Sequence, residues 1–226
     1  MRVAVLSDIH ANVAALAAAL ADLDRRGADA VVVAGDLVGD GADPAGVVAL
    51  LRSKRFPAVR GNVDDKVIEA ASLPRGEQAA LLEKRKKADL VRTARALDRG
   101  DLEWLRELPE ALHLEFGGCR VELVHGSPLG VTDYVFPSIT ARALAAKLGA
   151  DRPDVLACGH SHIPFARRIG GVTVVNAGSV GRPVDGDPRG SYALVEIARD
   201  GTPRARIVRF PFATVAPSAR GGAGGR

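Results

Sequence analysis

The stretch RVAVLSDIHANVAALAAALADLDRRGADAVVVAGD (residues 2–36) decides the fold class. It opens with VAVL (3–6), a continuous apolar run of the kind buried on both faces of a sheet. Val13, Leu16, Leu20 and Leu23 then recur at spacings of three and four, which predicts a helix, and Gly27 supplies its stop. AVVVA (30–34) reads as a second buried strand. Strand, helix and strand in that order form a right-handed crossover unit, so the pattern predicts a layered α/β domain.

The pattern continues outward. A helix is expected over 44–53, opened by Pro44 in its first turn, and FPAVR (56–60) reads as a third strand. Between about 66 and 110 the chain turns helical. The run 77–100 places Leu90, Val91, Ala94 and Leu97 on one face and ends at Gly100, and Asp101 is placed to cap a helix DLEWLRELP (101–109). These helices are expected as an insertion or cap beside the core, with the Lys/Arg run at 84–87 on a solvated face. Strands follow at 111–116, 119–124, 154–158, 172–176, 191–197 and 204–210, with Gly117-Gly118 as a hairpin turn and a helix over 138–148. One domain is expected over 1–213, and a disordered tail over 214–226.

Composition sets bounds on function. The net charge is +4 and the isoelectric point about 9.4, which permits a phosphate-bearing substrate without demanding nucleic acid. Of the 31 basic residues 25 are Arg, in a chain rich in Ala and Gly, so compositional bias explains most of the surface arginines. No run of 18 uncharged apolar residues occurs, and RVAVL is too short for a signal sequence. Cys119 and Cys158 both sit in apolar runs and read as buried thiols, so a reducing cytoplasm is the expected compartment.

Each buried strand runs into a polar motif. VAVL leads to Ser7-Asp8-Ile9-His10, AVVVA to Gly35-Asp36, and FPAVR to Gly61-Asn62. CRVELV leads to His125-Gly126, and DVLAC to Gly159-His160-Ser161-His162. In open α/β sheets, sites form outside the carboxyl ends of strands, so these groups can converge. Carboxylates, imidazoles and one amide suit divalent cations: Mn²⁺ first, with Fe²⁺, Zn²⁺ or Ni²⁺ as alternatives. Asp8 with His10, and His160 with His162, are expected to share a face through extended-chain alternation. Gly35, Gly61, Gly126 and Gly159 stand where the backbone must turn sharply or approach closely. Alone, Gly-Asn or Gly-Asp is only a turn signal, but four of the five histidines fall in these motifs. The fifth, His113, reads as an ordinary strand residue.

The order D-x-H, G-D, G-N, H-G, G-H-x-H, with SDIHANVAAL, VRGNVD and NAGSVGRP, resembles the calcineurin-like metallophosphoesterases, specifically their small bacterial and archaeal phosphodiesterase branch. The resemblance covers roughly residues 1–197 and implies a four-layer α/β/β/α sandwich. It also implies that Asp8, His10, Asp36 and His162 hold one metal, that Asp36 bridges, and that Asn62, His125 and His160 complete a second. A metal-activated hydroxide would then cleave a phosphoester, with Asn62 and Asp36 in catalytic roles. Asn12, Arg60 and Asn62 are the expected substrate contacts. In many members an imidazole follows the G-N pair, where it contacts the phosphate and protonates the leaving group; here Val63 stands in its place, and Asp64 is an alternative acid or a loop carboxylate. Asn176 is expected to shape a loop beside the site. A phosphodiesterase acting on nucleotides or nucleic acid ranks first, and a nuclease acting on DNA is a variant of it. A phosphoprotein or dinucleoside polyphosphate phosphatase ranks second, and a non-catalytic scaffold of the same fold is the alternative from another class. Composition and motifs leave the oligomeric state open.

Overall fold

Strands that are apolar on both faces need cover on both sides, and that requirement shapes the molecule. The structure, a computed structural model, describes residues 1–150 and 152–213, apart from the side chains of Arg85 and Lys86. The chain begins β1 (Arg2–Leu6), α1 (Val13–Arg26), β2 (Ala30–Ala34), α2 (Pro44–Lys54) and β3 (Ala58–Val59). Four helices follow: α3 (Asn62–Ser72), α4 (Arg75–Leu82), α5 (Arg85–Ala96) and α6 (Arg99–Glu107). Then come β4 (Ala111–Phe116), β5 (Cys119–Val124), α7 (Ala141–Leu148) and β6 (Val155–Cys158). The last strands are β7 (Phe165–Ile169), β8 (Val172–Asn176), β9 (Gly190–Ile197) and β10 (Pro203–Phe210).

One sheet has the order β10-β9-β1-β2-β3 and the other β4-β5-β6-β8-β7. Alternation along each strand sorts its residues between layers. In β1, Val3 and Val5 enter the cluster between the sheets, with Val121, Leu123, Val155 and Ala157 from the second sheet. Ala4 and Leu6 point the other way, into the cluster under α1 and α2. In β6, Leu156 and Cys158 pack outward against Leu144 and Leu148 of α7. The result is the four-layer α/β/β/α sandwich that the resemblance implies.

Helix α1 shows why its residues form a helix there. The Asn12 side chain accepts the Ala15 N–H, and Gly27 closes the helix in the left-handed conformation. Between the two, Ala15, Leu16, Ala19 and Leu23 make a buried stripe. The segment from 66 to 110 does not stand off as a separate body: Val67, Val91, Leu97 and Leu105 share the cluster that contains Leu6 and Val47. Its helices differ in detail from expectation. The 77–100 run is two helices, broken around Glu83–Lys84, and the second ends at Leu97, well before Gly100. Asp98, not Asp101, caps α6 by accepting the Asp101 N–H at 2.7 Å, while Asp101 is ion-paired with Arg52 at 3.1 Å. The start of α3 at Asn62 and the strand β7 were not expected, and β3 is only two residues long. Cys119 and Cys158 are free and buried, and His113 is exposed on β4. No helix among the described residues is long and apolar enough to cross a membrane. The expected tail, 214–226, lies outside the described residues.

Candidate metal centre

The carboxyl ends of β1, β2 and β3 in one sheet, and of β5 and β6 in the other, open at a common edge. The side chains do not converge there by strand alternation, as the spacing suggested. Asp8, His10, Asp36, His160 and His162 all have left-handed backbones, with φ between 50° and 65°. Each chain segment turns abruptly as it leaves its sheet, and the turn aims the side chain. Such a residue costs about 1–3 kcal/mol, a strain that persists only where neighbours over-determine it. Here they do. Asp8 N–H bonds the Gly35 carbonyl, His10 N–H that of Asp36, and Ala11 N–H that of Leu37, all at 3.0 Å. The Asp8 carbonyl accepts the Ser179 hydroxyl at 2.7 Å and the Gly181 N–H at 3.1 Å. The flanking glycines serve close approach: a Cβ on Gly159 would collide with Ser7 Oγ, and one on Gly61 with Asp36 Oδ1.

Two groups result. Asp8, His10, Asp36 and His162 are all buried and bring one ligand atom each within 4.8 Å of the others; Asp36, His125 and His160 do the same. Asp36 is common to both. Its Oδ2 lies 3.7 Å from His10 Nε2, and its Oδ1 lies 3.4 Å from His125 Nε2. Asn62, the first residue of α3, places Oδ1 3.1 Å from His125 Nε2.

The hydrogen bonds fix what these atoms can do. His125 Nδ1 faces the Ala34 carbonyl at 2.7 Å, and His162 Nδ1 faces the Arg182 carbonyl at 2.7 Å. A carbonyl only accepts, so both Nδ1 atoms carry the proton. With Nδ1 so engaged, each ring turns Nε2 toward further polar groups, as a donor when the ring is protonated and with a free lone pair when it is neutral. For His162 these are Asp8 Oδ1 at 3.0 Å and His10 Nε2 at 3.1 Å. Asp8 Oδ1, His10 Nδ1 and His160 Nε2 are buried without hydrogen-bond partners. Carboxylate oxygens and ring nitrogens gathered within 4.8 Å of one another suit a cation, and rings braced through Nδ1 by backbone carbonyls are how protein sites orient such ligands.

Electrostatics agrees. Burial would raise the Asp8 carboxyl, but the neighbouring His10 and His162 rings outweigh it and hold Asp8 below the ordinary value. Asp36 is also held low: burial opposes, and the charge and hydrogen bond of His125 prevail. Burial resists a charge on His125, but Asp36 lifts that ring to about 9. His162 goes up against its burial through its hydrogen bond to Asp8, whereas burial and the field of His125 push His160 down. The carboxylates demand positive charge, which the rings supply only by protonation. A divalent cation would supply that charge in place of the ring protons.

Two expected substrate contacts are otherwise engaged. Asn12 accepts from Ala15 N and donates to the Gly181 carbonyl at 3.1 Å, so it caps α1 and ties down a neighbouring loop. Arg60 spends all three guanidinium nitrogens on structure: Nε on Asp65 at 2.7 Å, one terminal nitrogen on Glu110 at 2.9 Å, the other on the Leu108 carbonyl at 2.8 Å. Asp64 is no exposed acid. It is fully buried and accepts N–H groups from Leu37, Val38 and Gly61 at 2.8–3.0 Å. Burial and the charge of Asp36 push its carboxyl up to about 7, against those three bonds. Asn176 shapes its loop as expected, bonding the Gly159 carbonyl, Ser161 Oγ and Gly178 N. Sequence reasoning missed Asp40, which lies 3.7 Å from His10 Nδ1 and is ion-paired with Arg182 at 2.6 Å. It also missed Tyr134, whose ring stacks on His160. The one available signal was two aromatics flanking a valine, Tyr134-Val135-Phe136, in a chain with few aromatics.

A family model described as the calcineurin-like phosphoesterase superfamily domain matches residues 1–200. An uncharacterized protein of Methanocaldococcus jannaschii is 30% identical over 211 residues, covering 86% of this chain and 82% of that protein. A probable metallophosphoesterase of Methanothermobacter thermautotrophicus is 34% identical over 113 residues, which is 46% of this chain and 60% of its own length. Among solved structures, a metallophosphoesterase from Sphaerobacter thermophilus matches with a TM-score of 0.77 at 29% identity, covering 94% of this chain and 89% of that one.

Proposed function

Because the chain belongs to the calcineurin-like phosphoesterase superfamily, we propose that it is a phosphodiesterase, acting on nucleotides or nucleic acid, with two divalent cations in the centre described above. Asp8, His10, Asp36 and His162 hold one cation; Asp36, Asn62, His125 and His160 hold the other. The observation that carries this reading is the pair of Nδ1-anchored rings, His125 and His162, whose Nε2 atoms face carboxylates. The mixed oxygen and nitrogen donors, with no thiolate among them, suit Mn²⁺ best.

When bound, such cations neutralise phosphoryl charge and make a water acidic enough to attack. The chain's own residues do the rest. Asp36, with one oxygen toward each group, fixes the spacing of the two positions. The Val63 N–H donates to Asp36 Oδ1 at 2.8 Å and keeps that carboxylate from rotating. Asn62 is buried at the start of α3, where its amide steadies charge developing on the phosphoryl group. With Val63 where other members carry an imidazole, and Asp64 committed to three backbone donors, neither position supplies an acid for the leaving group. A general acid contributes about 10²–10⁴-fold, so esters with good leaving groups are the preferred substrates. Two unpaired buried thiols fit work in a reducing cytoplasm.

The test is Asp36→Asn in the Mn²⁺-reconstituted protein. Hydrolysis of a model phosphodiester should fall by at least about 10²-fold, with circular dichroism unchanged. Full activity in this variant would reject the two-cation scheme.

A further inference from the structure

The loop from Gly126 to Pro137 is held more firmly than a connecting segment requires. Ser127 and Lys147 both bond the Asp133 carboxylate. Val135 is fully buried in the cluster under α7. Arg167 donates to the Pro137 carbonyl, and the Ile139 N–H bonds that of Phe136 at 3.0 Å. At its start, a Cβ on Gly126 would run into the carbonyls of Asp133 and Gly130, so the loop closes tightly on itself.

This anchoring presents two aromatic rings on either side of the buried Val135. The Tyr134 ring lies on that of His160, with centroids 4.2 Å apart and planes at 28°. Phe136 stacks in turn on Tyr134, at 5.1 Å and 7°. Three rings therefore run outward from the centre as a stack. Its outer members remain in water: Tyr134 is 44% exposed and Phe136 42%, the only large aromatics so exposed among the described residues. Keeping two rings solvated forfeits burial energy, and fixing them in place removes the freedom that would offset it. Screening His160 from water does not explain the arrangement, because Phe136 stands one ring further out. A rigid, nearly parallel aromatic surface is suited to a flat π-system laid against it, and base-on-aromatic stacking tolerates every base.

We propose that Tyr134 and Phe136 form a stacking platform for a nucleobase, so that the enzyme selects phosphoesters carrying a base close to the phosphate it attacks. This rests on the reading of the His160 centre as the phosphoester site. It makes the two rings specificity-determining residues and places the discrimination in the base, not the sugar.

The test compares adenosine 5′-monophosphate with ribose 5-phosphate, which differ only by the base, as competitive inhibitors of chromogenic phosphodiester hydrolysis by the Mn²⁺-loaded protein. The wild-type protein should bind the nucleotide about tenfold more tightly, within the range of stacking on one aromatic side chain. Phe136→Ala should collapse that preference, and Phe136→Trp should retain it. Equal inhibition constants in the wild-type protein, or a Phe136→Ala variant that weakens both ligands alike, overturn the platform while leaving phosphoester hydrolysis intact. A wild-type protein that hydrolyses no phosphodiester sinks the underlying reading, and the platform with it.

Discussion

Asp64 does at the residue scale what a cation cannot: it ties the loop after β2 to the start of α3 in the absence of any ligand. Its two oxygens take N–H groups from Leu37, Val38 and Gly61, so three buried donors depend on one side chain. Asp64→Ala leaves them unsatisfied and should cost about 3 kcal/mol or more in urea unfolding, at about 1–3 kcal/mol for each stranded group. Asp64→Asn, which keeps one oxygen acceptor, should cost less. A loss below half a kilocalorie per mole for the alanine variant would show that water reaches those donors. Sequence could not separate this role from that of an acid, because two of its three partners lie 27 and 26 positions upstream and all three contribute only backbone. The strand-end side chains were legible for the opposite reason: their chemistry is in their identity. What stayed hidden was the backbone that gathers them, since nothing in Asp8 or His160 announces a left-handed conformation.

At the scale of elements, the join between α1 and β9 is polar at its centre. Asp22 is buried on α1 and accepts the Tyr192 hydroxyl at 2.7 Å, Arg26 Nε at 2.7 Å and an Arg25 nitrogen at 2.9 Å. Burial would raise its carboxyl, but the hydrogen bonds from Arg26 and Tyr192 win and hold it below the ordinary value. The sign follows. A lowered folded value gives stability that is present above the unfolded carboxyl pKa of about 3.9 and lost as pH falls through the folded value. Asp22→Asn should therefore destabilise by about 1–3 kcal/mol at pH 7, and the gap between the two proteins should close below about pH 4. A gap independent of pH would mean that shape, not charge, is what the variant loses. Elements were legible where the apolar period is local. β2 matches its AVVVA run residue for residue. The first turn of α3 was missed because Gly61-Asn62 is a turn signal, and its buried Asn62 and Asp64 break the apolar stripe for reasons that lie in other elements. β7 was missed because FARRI pairs only with β8 at the sheet edge and exposes two arginines.

For the whole molecule, the candidate ligands divide between the two sheets. Asp8, His10, Asp36 and Asn62 follow strands of one, and His125, His160 and His162 follow strands of the other. A bound ion would cross-link layers that are otherwise joined mainly through apolar packing. Melting should thus report loading. At a hundredfold excess over Kd a ligand adds about 2.7 kcal/mol, and for a protein of this size that raises Tm by about 5–10 °C. Mn²⁺ should produce that rise and a chelator reverse it; identical melting curves would count against a centre that spans both sheets. The sandwich itself was legible only through resemblance, because strands buried on both faces do not say which of them share a sheet.

The place of β1 carries one more consequence. Val3 pairs with Ala30 on one flank and with Val195 on the other. During translation the first of these neighbours emerges almost at once, while the second follows only after some 165 further residues. For most of that time β1 offers a bare edge, which is where a nascent chain pairs wrongly or recruits a chaperone. The braces on the Asp8 turn, Ser179 and Gly181, also arrive late. A bound ion would therefore be captured only after these distant segments have emerged, and would follow the pairing of β1, not guide it.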